Sequence, residues 1–144
     1  MARSVQVAID CADPAKLSGF WAFALGYRLP DPPGDFATWP DFLRAQGVPE
    51  SEFNSASAIE DPDGVGPRIY FQRVPEPKAG KNRLHLDVNA GGGRGTPEAE
   101  RVKRVDEVVV ELVEHGATLV EERAKMGDRW VVMLDPEGNE FCVQ

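Results

Sequence analysis

The chain has 144 residues, a length that suits one domain or two small halves sharing a core. Hydrophobic residues make up 42% of the chain and charged residues 28%, a composition that excludes an intrinsically disordered protein. The net charge of −8 disfavours nucleic acid or an anionic membrane as a partner, so we expect a small-molecule ligand or another protein.

Cysteine usage and hydropathy indicate a cytoplasmic protein. Cys11 and Cys142 are the only cysteines, too few for a disulfide framework in a chain of this length. The first residues lead into a strand pattern that contains Asp10, not into an apolar signal core. The sequence also lacks an apolar run near the ~20 residues that a membrane-spanning helix needs, so we expect no membrane association.

The first half of the chain reads as a strand, a helix and three further strands. Residues 5–10 alternate, with Gln6, Ala8 and Asp10 on the polar face. Asp13-Pro14 begins a helix and Gly26 ends it. The predicted buried stripe of that helix consists of Leu17, Phe20, Trp21 and Ala24. The further strands are predicted at 27–29, 55–60 and 68–74.

A proline-rich segment, 30–49, interrupts this half of the chain. It contains a short predicted helix over 39–45, with Trp39 and Phe42 on it. Irregular segments of this length are often functional lids or walls. We therefore expect Trp39 to cover a ligand.

The second half repeats the order of elements. Residues 84–89 alternate strictly, and His85, Asp87 and Asn89 form the polar face. The glycine-rich run 91–95 is interpreted as a flexible connector to a helix that begins at Thr96-Pro97. The helix should end at His115-Gly116 and bury Val102, Val105, Val109, Leu112 and Val113. Strands are predicted at 117–122, 129–134 and 140–143.

A repeated turn indicates that the two halves share one architecture. Asp61-Pro62-Asp63-Gly64 and Asp135-Pro136-Glu137-Gly138 each precede the last strand of their half. The sequence therefore predicts one α+β domain over 1–144, made of two tandem βαβββ modules at about 4–75 and 82–144. Each module is too small to bury both faces of its sheet, so we expect the polar faces to line a cleft between the curved sheets.

The sequence resembles the vicinal oxygen chelate superfamily, which includes glyoxalase I, bleomycin-resistance proteins and extradiol dioxygenases. The resemblance depends on the helix exit Ala24-Leu25-Gly26-Tyr27, the His85 strand, the exit Glu114-His115-Gly116-Ala117 and the turn Asp135-Pro136-Glu137-Gly138-Asn139. It covers nearly the whole chain and is strongest to the branch called glyoxalase-like domains. The resemblance implies the duplicated fold and a homodimer.

The resemblance also implies where a metal would bind. The metal-ligand positions of the superfamily correspond here to Gln6, Gln72, His85 and Cys142, where Cys142 replaces the usual glutamate. These four residues include no carboxylate, and neutral amides hold a hard cation poorly. A metal is therefore not favoured. If zinc, nickel, manganese or iron binds, we expect the ligands to be Gln6 and His85 with Glu140 or Cys142.

The resulting hypothesis is a bleomycin-resistance-like protein that binds a small organic molecule without a full metal site. The expected ligand contacts are Gln6, Ala8, Trp39, Tyr70, Gln72, His85, Asp87 and Cys142. His85 would act as a polar contact or general base; the alternative is a structural histidine paired with Asp87 or Asp10. The alternative function is a metal-dependent lyase, isomerase or dioxygenase of the glyoxalase type. A third interpretation is a degenerate module whose role is protein–protein interaction in a dimer.

Overall fold

The structure is a computed structural model that describes residues 2–93 and 95–144. The chain divides into two compact units, Met1–Pro77 and Lys78–Gln144. Arg94, within the predicted glycine-rich connector, lies outside the described residues. No helix in the described ranges is both long and apolar enough to cross a membrane.

The first unit is a three-stranded sheet with a helix packed on it. The strand order is β1-β3-β2, with β1 parallel to β3 and β2 antiparallel to β3. The elements are β1 Val7–Cys11, α1 Pro14–Leu25, α2 Trp39–Ala45, a 3-10 turn at Glu50–Glu52, β2 Ala56–Ile59 and β3 Ile69–Arg73.

Helix α1 forms where the sequence places its signals. The Lys16 amide donates to the Asp13 carboxylate at 3.2 Å, and Gly26 ends the helix in the left-handed conformation at φ 67°. Leu17, Phe20 and Trp21 are buried, as predicted, and the helix packs over β2 and β3. Ala24 is only half-buried, because it lies at the last turn of α1.

The strand predicted at 27–29 does not form. Arg28 makes a single antiparallel bridge with Glu60, with backbone N–O distances of 3.0 and 2.9 Å. Pro30 follows directly and has no amide hydrogen, so the ladder cannot continue. The first unit therefore keeps the predicted position of this strand but reduces it to one residue pair.

The second unit is a four-stranded sheet covered on one face by a long helix. The order is β4-β7-β6-β5, with β4 parallel to β7 and the other pairs antiparallel. The elements are β4 Leu86–Val88, α3 Glu98–Glu114, β5 Thr118–Lys125, β6 Asp128–Leu134 and β7 Glu140–Val143. Val105, Val109 and Leu112 are buried as predicted, whereas Val113 is 45% exposed because it turns towards the flank of the helix.

The repeated turn is built alike in both units. The Asp61 carboxylate accepts hydrogen bonds from the amides of Asp63, Val65 and Gly66 at 2.7–3.0 Å. The Asp135 carboxylate accepts from the amides of Glu137 and Asn139 at 2.9 and 3.0 Å. In each unit the turn delivers the chain into the strand that pairs in parallel with the unit's first strand. The mixed α+β architecture predicted from the duplication is therefore confirmed.

Candidate functional site

The strand register of the second unit separates two faces of its sheet. Asp87 lies opposite Cys142, and Cys142 opposite Val132. These residues share one face because paired positions point to the same side of a sheet. The other face carries Phe141 and Met133, which are fully buried on the side covered by α3. We call the first side the open face of the second unit.

The open face carries most of the polar candidates. His85 and Asp87 are exposed, Cys142 is buried at 6% exposure, and Glu140 is half-buried. The alternation of β6 also puts Trp130 on this face, two residues from Val132, which the sequence alone leaves undecided.

His85 contacts two other candidates through one ring nitrogen. Its Nε2 lies 3.1 Å from the Cys142 sulfur and 3.4 Å from an Asp87 carboxylate oxygen. In a nucleophile–histidine–carboxylate triad the acid holds the opposite ring nitrogen. Here the sulfur and the carboxylate share Nε2, so this arrangement is not a catalytic triad. The contact with Asp87 is the carboxylate pairing that the alternative interpretation of His85 predicts.

The surroundings of Cys142 favour the protonated thiol over the thiolate. Burial raises the pKa of Cys142, and the negative charge of Asp87 raises this pKa further, against the opposing effect of the Arg123 guanidinium. A thiolate nucleophile needs the reverse shift. A role as a small buried residue therefore fits the surroundings of Cys142 better than a role as nucleophile.

The donor atoms of His85, Asp87 and Cys142 form a group that fits a metal ion. All three ligand atoms lie within 4.8 Å of one another. The strand register brings the Asp87 carboxylate to Cys142, a pairing that is not among the metal-ligand positions implied by the resemblance. Imidazole, carboxylate and thiolate together suit zinc or iron better than magnesium or manganese. A metal would have to displace the thiol proton that burial retains.

Glu140 is engaged elsewhere on the same face. Its carboxylate accepts a hydrogen bond from the Lys81 ammonium at 2.8 Å, and this contact lowers the pKa of Glu140. Because its charge is already paired, Glu140 is a weaker ligand candidate than Asp87. The sequence analysis instead names Glu140, and not Asp87, as a possible metal ligand.

A cavity of about 780 Å³ opens beside these residues. Its volume lies within the range of small-molecule sites, which is roughly 300–1,000 Å³. The wall combines the open face with the β5–β6 hairpin and the first turns of α3. Apolar and charged groups alternate around it, among them Val105, Glu121, Arg123, Trp130, Val132, Cys142, Asp87 and His85.

The first unit has an open face of its own, with a different chemistry. Ala8 pairs with Tyr70, and Asp10 pairs with Gln72. The Gln72 amide donates to the Asp10 carboxylate at 2.7 Å. The predicted contacts Gln6, Ala8, Tyr70 and Gln72 therefore follow one face of one sheet, as their alternation indicates.

Gln6 is badly placed to bind a cation. Its side-chain oxygen accepts a hydrogen bond from the Arg68 guanidinium at 2.6 Å. A metal on that oxygen would lie beside a fixed positive charge, which opposes its binding. Sequence reasoning missed Arg68, although the alternation of 68–74 places it on the same face as Tyr70 and Gln72.

Two further predicted residues have structural contacts. The Trp39 indole donates to the Pro30 carbonyl at 2.8 Å and packs edge-to-face on Phe42. A lid function for Trp39 stays a prediction. A ring nitrogen of His115 lies 2.8 Å from the Glu111 carbonyl, a structural contact at the predicted end of α3.

Comparison with known proteins identifies the family. A family model described as "Glyoxalase-like domain" matches residues 6–144. The chain belongs to the glyoxalase-like domain family. The resemblance to the vicinal oxygen chelate superfamily is thereby confirmed. Comparison of this glyoxalase-like domain with curated proteins gives no sequence match.

Several solved structures share the fold of this domain. A glyoxalase/bleomycin resistance protein/dioxygenase family enzyme from Burkholderia phytofirmans PsJN is 16% identical at a TM-score of 0.63, covering 96% of this chain and 94% of that one. TioX from Micromonospora sp. is 16% identical at a TM-score of 0.55, covering 99% and 97%. At these identities the likeness concerns the fold alone.

One similar structure contains a metal and a ligand. It is a variant of the fosfomycin resistance protein FosX from Listeria monocytogenes, complexed with Mn(II) and 1S,2S-dihydroxypropylphosphonic acid. This glyoxalase-like domain is 14% identical to it at a TM-score of 0.64, covering 100% of this chain and 93% of that one. The fold of the domain is thus one in which a metal-bound member is known.

Proposed function

We propose that this glyoxalase-like domain binds a small organic molecule in the cavity that the open face of its second unit helps to line. The observation that carries the proposal is the combination of that cavity with His85 and Trp130 on its wall. Trp130 and Val132 offer apolar area for a ring or alkyl group, and His85 offers a polar contact. His85 Nε2 is also the atom that would accept a proton from a bound ligand.

Paired histidine variants test this proposal. We expect aromatic and drug-like compounds to raise the melting temperature of the wild type in a thermal-shift screen. His85→Ala and Trp130→Ala should each weaken the affinity for such a compound by about tenfold or more, as loss of a central contact does. His115→Ala, which removes the other histidine at the end of α3, should leave the affinity unchanged. Equal affinities of His85→Ala and His115→Ala for every bound compound would contradict the proposal.

A second candidate function, a metal-dependent enzyme of the glyoxalase type, is favoured by the donor group His85, Asp87 and Cys142. Three protein ligands leave a coordination position open for a substrate, as in catalytic zinc sites. A bound metal would supply Lewis-acid polarisation of a substrate oxygen. In this case His85 Nε2 would be a ligand, so it could not serve as the base.

Cobalt binding distinguishes the two candidates. A Co²⁺ ion held by Cys142 should give a thiolate charge-transfer band in the near-ultraviolet spectrum. The band should vanish in Cys142→Ser and persist in Cys11→Ser, which removes the other buried thiol. Protein purified without chelator should also contain stoichiometric zinc or iron by elemental analysis. A protein without metal and without this band contradicts the metal-dependent function.

We further propose that the protein is a cytoplasmic homodimer whose partner is neither nucleic acid nor membrane. The negative net charge, the two thiols and the family resemblance support this. Sedimentation equilibrium tests the dimer directly: a mass of one chain at micromolar concentration would contradict it.

A further inference from the structure

Arg68 lies on the open face of the first unit, beside residues already expected to contact a ligand. The Val7 amide donates to the Arg68 carbonyl at 3.1 Å, at the end of the β1–β3 ladder where Val7 pairs with Ile69. Arg68 and Gln6 each lie one residue before that pair and two residues before the pair of Ala8 with Tyr70. Strand alternation puts all four side chains on the same side of the sheet.

The Arg68 guanidinium is held in place from two sides. It donates to the Gln6 side-chain oxygen at 2.6 Å, and its central carbon lies 5.8 Å from the centre of the Tyr70 ring. A cation over an aromatic face is attracted by the ring electrons. These contacts orient the planar guanidinium and its N–H donors, while the side chain stays exposed. A ligand therefore meets a preorganised cation.

The charge of Arg68 is not neutralised within the described residues. Arg28, Arg44 and Arg73 of the same unit each form an ion pair with a carboxylate, whereas Arg68 forms none in the part of the chain that the structure describes. Two acids share this face. Glu60, two residues beyond Ala58, is paired with Arg28 at 2.8 Å. Asp10 accepts from Gln72 and lies four residues along β1 from Gln6. At the rise of a strand that separation is roughly 13 Å.

Gln6 and Tyr70 offer hydrogen-bond donors beside Arg68. Because the Gln6 oxygen faces Arg68, the Gln6 amide NH₂ group is directed elsewhere, and Tyr70 carries a hydroxyl. Ala8 is exposed and, like Ala58 across the ladder from Tyr70, contributes only a methyl group. A donor-rich surface with an uncompensated cation and small neighbours fits a ligand that presents acceptor oxygens with negative charge.

We propose that Arg68, supported by Gln6 and Tyr70, binds the oxyanion of a small anionic organic ligand, a carboxylate or a phosphate. The inference concerns the first unit and goes beyond the function proposed for the second, on which it does not depend. It also gives the predicted contacts Gln6, Ala8 and Tyr70 a common chemical purpose.

Benzoate and benzamide, which share the ring and differ in charge, test this site. Titrations followed by NMR should show saturable binding of benzoate with shifts at Arg68 and Tyr70, and at least tenfold weaker binding of benzamide. Arg68→Gln should weaken benzoate binding at least about tenfold, since it removes a charge-assisted hydrogen bond. Arg68→Lys should have a smaller effect, because it keeps the positive charge but loses the planar arrangement of guanidinium donors.

Two further variants make the result specific. Gln6→Glu places a carboxylate against Arg68 at nearly constant shape, so it should also weaken benzoate at least about tenfold. Arg44→Gln, which removes an arginine of α2 already paired with Glu50, should leave benzoate binding unchanged. Inorganic phosphate shows whether the oxyanion alone suffices. Absence of saturable benzoate binding, equal binding of benzamide, or equal weakening by Arg44→Gln would overturn the proposal.

Discussion

His85, Asp87 and Cys142 show how strand register creates a site that position matching misses. The alternation of 84–89 predicts that His85 and Asp87 share the polar face, and the structure confirms this. Matching to the superfamily selects His85 and Cys142 but passes over Asp87. Only the pairing of Asp87 with Cys142 reveals the carboxylate, and a register between strands so distant in sequence is set by tertiary packing.

The thiol of Cys142 offers a sensitive test of this local electrostatics. Asp87→Asn should lower the pKa of Cys142, because it removes a nearby negative charge. Arg123→Gln should raise this pKa, because it removes the opposing positive charge. Thiolate absorbance in the ultraviolet, followed against pH in a Cys11→Ser background, measures both shifts.

A matched charge removal serves as the control for this titration. Glu114→Gln changes an exposed carboxylate in the last turn of α3, which is not part of the cavity wall. It should leave the pKa of Cys142 where it is in the parent protein. Shifts of the same sign in Asp87→Asn and Arg123→Gln would show that the site geometry is wrong.

At the scale of elements, the β5–β6 hairpin contains a strained position. Lys125 pairs with Asp128 across a two-residue turn in which Met126 and Gly127 have φ values of 54° and 84°. This is the backbone of the type I′ turn, for which Asn-Gly is the preferred sequence. Met126 therefore pays a steric cost that asparagine largely avoids.

Met126→Asn should therefore stabilise the protein, by up to about 1 kcal/mol. Urea denaturation followed by circular dichroism measures the change in the free energy of unfolding. Met126→Val, with a branched side chain at the same backbone angles, should change stability in the opposite direction. If both variants change the free energy of unfolding in the same direction, the turn geometry is incorrect.

Elements with strong local signals were predictable, and elements that depend on neighbours were not. Helix α2 and strand β7 have the predicted bounds, and Asp13 caps α1 as its position before Pro14 indicates. The strand around Arg28 was predicted from Tyr27 and Leu29, but Pro30 limits it to one bridge. Capping and turn chemistry are local, whereas the length of a ladder depends on its partner strand.

At the scale of the whole molecule, the duplicated turn provides an internal comparison. Asp135 is 3% exposed and also accepts two contacts from the Asn139 side-chain amide at 2.9 and 3.0 Å. Among the described residues, only backbone amides donate to Asp61, which is half-buried. The same turn is therefore deeper in the structure in the second unit than in the first.

Asp135→Ala should cost more stability than Asp61→Ala, because it leaves buried hydrogen-bond donors without an acceptor. The expected loss for Asp135→Ala is about 2–3 kcal/mol, the upper range for leaving buried donors unsatisfied. Asp61→Ala should cost clearly less, since water can replace its carboxylate. Chemical denaturation of the two variants measures both losses, and an equal or reversed order contradicts the comparison.

The duplication made the fold predictable, but the chemistry differs between the copies. Both units show a parallel pairing of first and last strands, yet one open face carries Arg68 with Gln6 and the other His85 with Cys142. A repeat in sequence identifies equivalent backbone positions. It does not predict the hydrogen bonds among the side chains there, which is why Arg68 was overlooked and Asp87 was expected as a ligand contact but not as a metal ligand.

All eight residues of β5 are exposed, and β5 is the edge strand of its sheet. The edge-facing amides of β5 have no neighbouring strand in the second unit as described, so their hydrogens should exchange rapidly with solvent deuterium. Yet Val120, Glu121 and Arg123 form part of the cavity wall. A molecule that occupies the cavity should therefore slow deuterium uptake in β5 before it changes the exchange of the buried strand β7. Uptake by the β5 peptide thus gives a way to detect an occupant whose identity is still unknown.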